Sequence, residues 1–172
     1  VHYLRAIDTI FPIQTIVPKP NSINEKTYTI VQKDFKISHV CREDMAQDTG
    51  NEVIKILENT DEKILLFDIG GYFAHIHETW PVTILERIAL IIEDTENGYQ
   101  KYEHVIEDSE RKKQNYPFKV VSVASSPLKE NEDFLVGQSV FFSADALMRE
   151  DGKLIQYLKC GILGYGKIGR SI

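Results

Sequence analysis

A chain of 172 residues with a 42% apolar content can bury one core of ordinary domain size. Its 26 acidic and 20 basic residues leave a formal charge of −6. A nucleic-acid surface would therefore need a strong local basic cluster, and the one tight group, Arg111-Lys112-Lys113, follows directly on acidic residues. No apolar run reaches the roughly 18 residues of a membrane span, and the N-terminus lacks the basic-then-apolar layout of a signal peptide. A soluble, cytoplasmic protein with no nucleic-acid or membrane partner is expected.

In chain order, His2 to Phe11 reads as a helix, and Pro12, Pro18 and Pro20 bracket an extended piece, Ile13 to Val17. Thr27 to Val31 reads as a second extended run, and Asn51 to Glu58 as a helix. Lys63 to Phe67 is a buried strand closed by Asp68-Ile69-Gly70-Gly71, and Tyr72 to His77 a helix that ends before Pro81. Ile88 to Ile92 is the next strand, followed by the polar turn Glu93 to Gly98. Tyr99 to Lys113 is a charged amphipathic helix, Lys119 to Val123 a strand, Val136 to Arg149 a helix and Cys160 to Leu163 a last strand.

This alternation predicts an α/β fold, a mainly parallel sheet with helices on both faces. Polar turns at 68–71, 93–98 and 124–129 then follow the carboxyl ends of strands, where open α/β sheets bind ligands.

Gly164-Tyr165-Gly166-Lys167-Ile168-Gly169 has the G-x-G-x-x-G spacing. In a dinucleotide-binding unit, glycines permit the tight turn and let the backbone approach a pyrophosphate, which the following helix meets with unpaired N–H groups. A plain strand-turn-helix has the same pattern. The chain starts at Val1 and stops three residues past this turn, so both ends read as cut, and the fragment alone is expected to bind the cofactor poorly.

Cys41 and Cys160 lie far apart in no metal or redox spacing and read as free thiols. His75 and His77 could offer two imidazoles to zinc from a strand, but the helical reading spreads them and no third ligand is evident, so no metal is expected. The adjacent Phe141 and Phe142 must face different directions, and one of them can meet another domain or subunit.

Asp68-Ile69-Gly70-Gly71, Glu93 to Gly98, Lys129 with Asp133 and the terminal glycine turn occur in an order and spacing that resembles the S-adenosylhomocysteine hydrolase family. The resemblance covers residues 63–172 well and residues 1–62 only in general texture. It implies a Rossmann-like substrate domain over 1–135, then a joining helix and the first βα turn of a truncated NAD-binding Rossmann domain over 136–172. It also implies a nucleoside substrate, a bound NAD and a cytoplasmic homo-oligomer.

By the same resemblance, Lys129 and Asp133 fall on the family's substrate-contacting pair, and Asp94 falls on its catalytic glutamate, one methylene shorter. Thr95, Glu96 and Asn97 stand where a threonine run touches NAD, with only Thr95 preserved. Gly164, Gly166, Lys167, Ile168 and Gly169 fall on the nucleotide loop. From the residues alone, Lys129 and Asp133 equally suit an i,i+4 ion pair, and Asp94 a turn or cap.

Three positions depart from the family: Ile69 replaces a ribose-contacting aspartate, Phe134 an asparagine and Gln138 a cysteine. His2 lies a few positions from the place of an early catalytic histidine. Two other readings remain open: a non-catalytic α/β module that binds a nucleotide or a protein chain, and a relative of the 2-hydroxyacid dehydrogenases.

Overall fold

A computed structural model describes residues 1–48 and 50–172, apart from the Leu128 side chain. The chain divides into two compact units, Val1–Ser122 and Val123–Ile172.

The first unit is α/β. Its sheet has three parallel strands, β1 (Ile64–Asp68), β2 (Ile88–Glu93) and β3 (Val120–Ser122), in the order β1-β2-β3. Helices α1 (His2–Asp8), α2 (Glu25–Val31), α3 (Arg42–Gln47) and α4 (Glu52–Glu58) precede the sheet. The short α5 (Val82–Leu85) lies between β1 and β2, and α6 (Glu96–Arg111) between β2 and β3.

One apolar core unites α3 to α6 with the strands. Met45 of α3, Val53, Ile54 and Leu57 of α4, Ile84 of α5, and Tyr102 and Val105 of α6 pack with Ile64, Leu66, Ile88 and Ile91 of the strands. Ile64 pairs with Ile88 but Leu65 with Leu90, so Ala89 is an extra residue on β2. This bulge lets Ile88 and Ile91, an odd number of residues apart, both turn inward. The opposite face is less covered: in the row Phe67–Ile92–Val121, Phe67 is 44% and Val121 39% exposed. The expected helical cover on both faces is therefore uneven.

Several local expectations change. Thr27 to Val31 is helical within α2, because the Asn24 side chain accepts from Thr27 N at 3.0 Å and Glu25 sits in the first turn; this N-cap outweighs a β-prone composition. Ile13 to Val17 makes only one parallel bridge, Ile16 to Ile37. Tyr72 to His77 is irregular and runs into a 3-10 turn over Ile76–Glu78, while Pro81, expected to follow a helix, is the N-cap of α5. Helix α6 starts three residues before Tyr99 because Thr95 caps it.

The second unit is built on α7 (Pro127–Glu150), a helix of 24 residues. It starts nine residues before the expected Val136, since Pro127 in its first turn is pre-set for helix and lacks the N–H that would go unpaired there. Residues 127–129 of the expected turn at 124–129 thus belong to α7. Cys160 to Leu163 forms no strand: among the described residues of this unit no strand offers a ladder partner, and Leu163 is fully exposed. Across the described residues no helix is long and apolar enough to cross a membrane.

Asn51 ties α3 to α4. It is 4% exposed; its Oδ1 accepts from Ile54 N at 3.0 Å, and its Nδ2 donates to Asp48 O at 2.8 Å and Met45 O at 3.3 Å. Asn51→Ala is expected to lower the unfolding free energy by about 1–2 kcal/mol or somewhat more, read from the urea midpoint.

Candidate functional site

The carboxyl edge of the sheet is organised by two buried carboxylates. Asp68 and Glu93 end β1 and β2, and the parallel register sets them side by side on the core face. Asp68 is 2% exposed and Glu93 fully buried. Asp68 accepts from Tyr72 N and Phe73 N at 3.0 Å each and from the Tyr102 hydroxyl at 2.5 Å. Glu93 accepts from Gly70 N at 2.9 Å, Gly71 N at 3.0 Å, Thr95 N at 2.8 Å and Thr95 Oγ1 at 2.6 Å. A buried charge is tolerated when its lone pairs are satisfied in this way.

Both glycines of the turn have positive φ, Gly70 at 110° and Gly71 at 72°. Gly98 is required for a different reason. A Cβ there would run into the Glu93 carboxyl group, so α6 can approach β2 only through a residue without a side chain. Burial first, then the negative charge of Asp68, holds the Tyr102 hydroxyl far above the usual tyrosine range, so it remains a donor.

The predicted residues of the first unit lie along this edge. Asp94 is half-buried, and its N–H donates to Asp68 O at 2.9 Å, continuing the β1–β2 pairing by one residue. Thr95 caps α6 through Gly98 N at 3.0 Å while its hydroxyl donates to Glu93. Glu96 and Asn97 are exposed in the first turn of α6; Glu96 accepts from Gln100 at 3.3 Å. Asn97 lines a depression of about 400 Å³ with His75, Gln100, Lys101 and His104.

In the second unit, Lys129 is largely buried on α7 with its Nζ 2.7 Å from Glu132. Asp133 is half-buried one turn later, and its carbonyl accepts from Ser171 Oγ at 3.3 Å. The glycine turn is well defined. Gly164 has φ 99°, a Cβ on Gly169 would collide with Gly164 O, and Gly166 has open space around it. Lys167 donates to Ala124 O at 3.0 Å, and Ile168 is exposed.

Sequence reasoning missed Arg42, Lys101 and Tyr102 and did not single out Glu93. The Arg42 guanidinium stacks on the Tyr72 ring, 4.9 Å from its centroid, and its Nε is buried with no hydrogen-bond partner. Such an orphan donor costs about 1–3 kcal/mol or more. Lys101 Nζ donates to Gly70 O at 2.8 Å. An acidic residue closing each of two apolar strands was a readable signal for Asp68 and Glu93; nothing local marks Arg42.

His75 and His77 stand on either side of the start of the 3-10 turn, 3.7 Å and 3.9 Å from Glu78, beside a depression of about 530 Å³. Burial pushes the His77 imidazole below its ordinary value, and its ring packs edge-on against Tyr116. Among the described residues no group of three or more His, Cys, Asp or Glu is placed to hold a metal ion. Both cysteines are free. Compared with protein-family models, with curated proteins and with solved structures, the chain matches none.

His77 and Tyr102 give the stability a pH dependence of known sign, and Tyr116 and Tyr72, which burial also raises, act in the same direction as Tyr102. Below His77's ordinary value of 6.5 the unfolded chain binds a proton that the folded chain resists, so stability falls with falling pH. Above Tyr102's ordinary value of 10.0 the unfolded chain loses a proton that the folded chain keeps, so stability falls with rising pH. Denaturant titrations across pH should show both slopes, with Tyr102→Phe reducing the alkaline one. Glu93→Gln, which replaces an acceptor oxygen by an amide donor facing backbone N–H groups, is expected to cost about 3 kcal/mol or more.

Proposed function

We propose that the chain is part of an adenosylhomocysteinase-like, NAD-dependent hydrolase acting on S-adenosylhomocysteine or a related ribosyl compound. One observation carries this reading. The two upstream segments of the resemblance, 68–71 and 93–98, are joined in space through the Glu93 carboxylate and the Asp94 N–H, at the carboxyl edge of a parallel sheet. The Rossmann-like character of the substrate domain belongs to the same proposal.

The glycine turn fits the pyrophosphate of a dinucleotide, because Gly164 and Gly169 have no room for a side chain or the wrong backbone for one, and Gly166 leaves the approach open. Gly164, Gly166, Lys167, Ile168 and Gly169 would hold NAD, with Thr95, Glu96 and Asn97 as its further contacts. A bound NAD supplies hydride transfer at the ribose 3′ carbon. Asp94 moves a proton at the reacting ribose, its backbone fixed by the bond to Asp68. Lys129 and Asp133 hold and orient ribose hydroxyls from successive turns of α7.

A cytoplasmic homo-oligomer completes the proposal, and the exposed Phe134, Leu135, Val140, Phe142 and Leu147 of α7 are apolar surface of the kind an interface covers. A second reading, a non-catalytic module that binds a nucleotide or a protein chain, draws support from Ile69. This residue stands 59% exposed beside Gly70 and Gly71, where the proposed chemistry uses a carboxylate.

The test is release of homocysteine and adenosine from S-adenosylhomocysteine in the presence of NAD, followed by a thiol reagent. Asp94→Asn is expected to slow it by about 10²-fold or more. Calorimetric binding of adenosine and NAD without turnover would point to a different ribosyl substrate, and binding of neither would leave the non-catalytic reading.

A further inference from the structure

The Gly70–Gly71 turn has an outer side that the proposed hydrolase chemistry does not use. Its amides point inward to Glu93, so what it presents outward is the Gly70 carbonyl, held by Lys101 at 2.8 Å. The Arg42 guanidinium lies against the same residue: a Cβ built on Gly70 would sit 2.8 Å from Arg42 Nη2 and would meet no other residue within 4 Å. Two cationic side chains therefore converge on one peptide.

Neither cation is held in an ion pair, although the charges of the buried Asp68 and Glu93 are felt at Lys101. Among the described residues Arg42 and Lys101 form no ion pair, and the two nearby carboxylates are already filled by backbone, Thr95 and Tyr102 donors. Arg42 makes no hydrogen bond to any described residue, and its Nε is enclosed without a partner. Stacking on Tyr72 occupies the face of the guanidinium and leaves its in-plane fork of donors unused. Lys101 uses one of its three donors on Gly70 O. At Lys101 the positive charges of Arg42 and Lys19 are felt alongside the opposing charges of Asp68 and Glu93.

We infer that Arg42 and Lys101, at the Gly70 turn, form a binding site for a small oxyanion, the carboxylate or phosphate group of a ligand, with Arg42 as its bidentate anchor. A planar guanidinium fixed by an aromatic ring loses little freedom on binding, and its fork matches two oxygens of either group. This inference does not depend on hydrolase activity or on NAD.

The chain is titrated at low ionic strength with inorganic phosphate and, separately, with acetate, followed by amide shifts of residues 70–72 and by calorimetry. Saturable binding of at least one probe is expected, and the stronger probe identifies the group. Arg42→Gln should weaken binding at least tenfold and Arg42→Lys should restore it only in part, whereas Arg170→Gln should leave it unchanged. Arg42 makes no hydrogen bond to any described residue, so its variants should fold as the parent chain does, and a thermal melt checks this. No saturable binding of either probe, or binding indifferent to Arg42→Gln, would overturn the inference.

Discussion

The first unit depends on a charge arrangement that is unfavourable until it is completed. Parallel pairing of β1 with β2 brings Asp68 and Glu93 into adjacent positions on the core face, with almost no contact with solvent. Unsatisfied, each carboxylate would cost several kcal/mol to bury. Asp68 receives three donors and Glu93 four, and these come from the turn after β1, from the cap of α6 and from the apolar face of α6. The turn conformation, the start of α6 and the position of Tyr102 are thus different parts of one electrostatic solution.

This solution sets the polarity of the sheet's carboxyl edge. Glycine-rich turns at such edges commonly offer amide hydrogens to an anion. Here the amides of Gly70 and Gly71 are turned inward onto Glu93, so the turn shows a carbonyl oxygen to its surroundings. Positive charge at this edge comes from side chains instead, and Arg42 reaches it from a helix far earlier in the sequence.

Much of the architecture was legible because local pattern and tertiary context agreed. The apolar runs at 63–67 and 88–92 read as buried strands and are strands, and the helix read from Asn51 to Glu58 is α4 with Asn51 as its cap. Failures occurred where one residue outweighed a composition. Asn24 turned a β-prone run into α2, and Pro127 began α7 well before its apolar stretch. Cys160 to Leu163 is strand-like in composition, but a strand exists only with a partner. At the sheet's carboxyl edge, motif order pointed to Asp94 and Thr95, which the structure places there. It could not reveal Arg42, whose place is set by a ring thirty residues later and by the absence of a side chain on Gly70.

The collision that a side chain at Gly98 would make with Glu93 governs how this protein can change over descent. Glu93, Thr95 and Gly98 constrain one another: the carboxylate needs the cap, the cap needs the Gly98 amide, and the glycine makes room for the carboxylate. A single replacement of any of these three residues meets an obstacle set by the other two, so the three should be inherited together. The exposed connection at 112–115 carries no such mutual dependence and is free to vary in length. A comparison of distant relatives should therefore find drift and insertion after α6, and near silence before it.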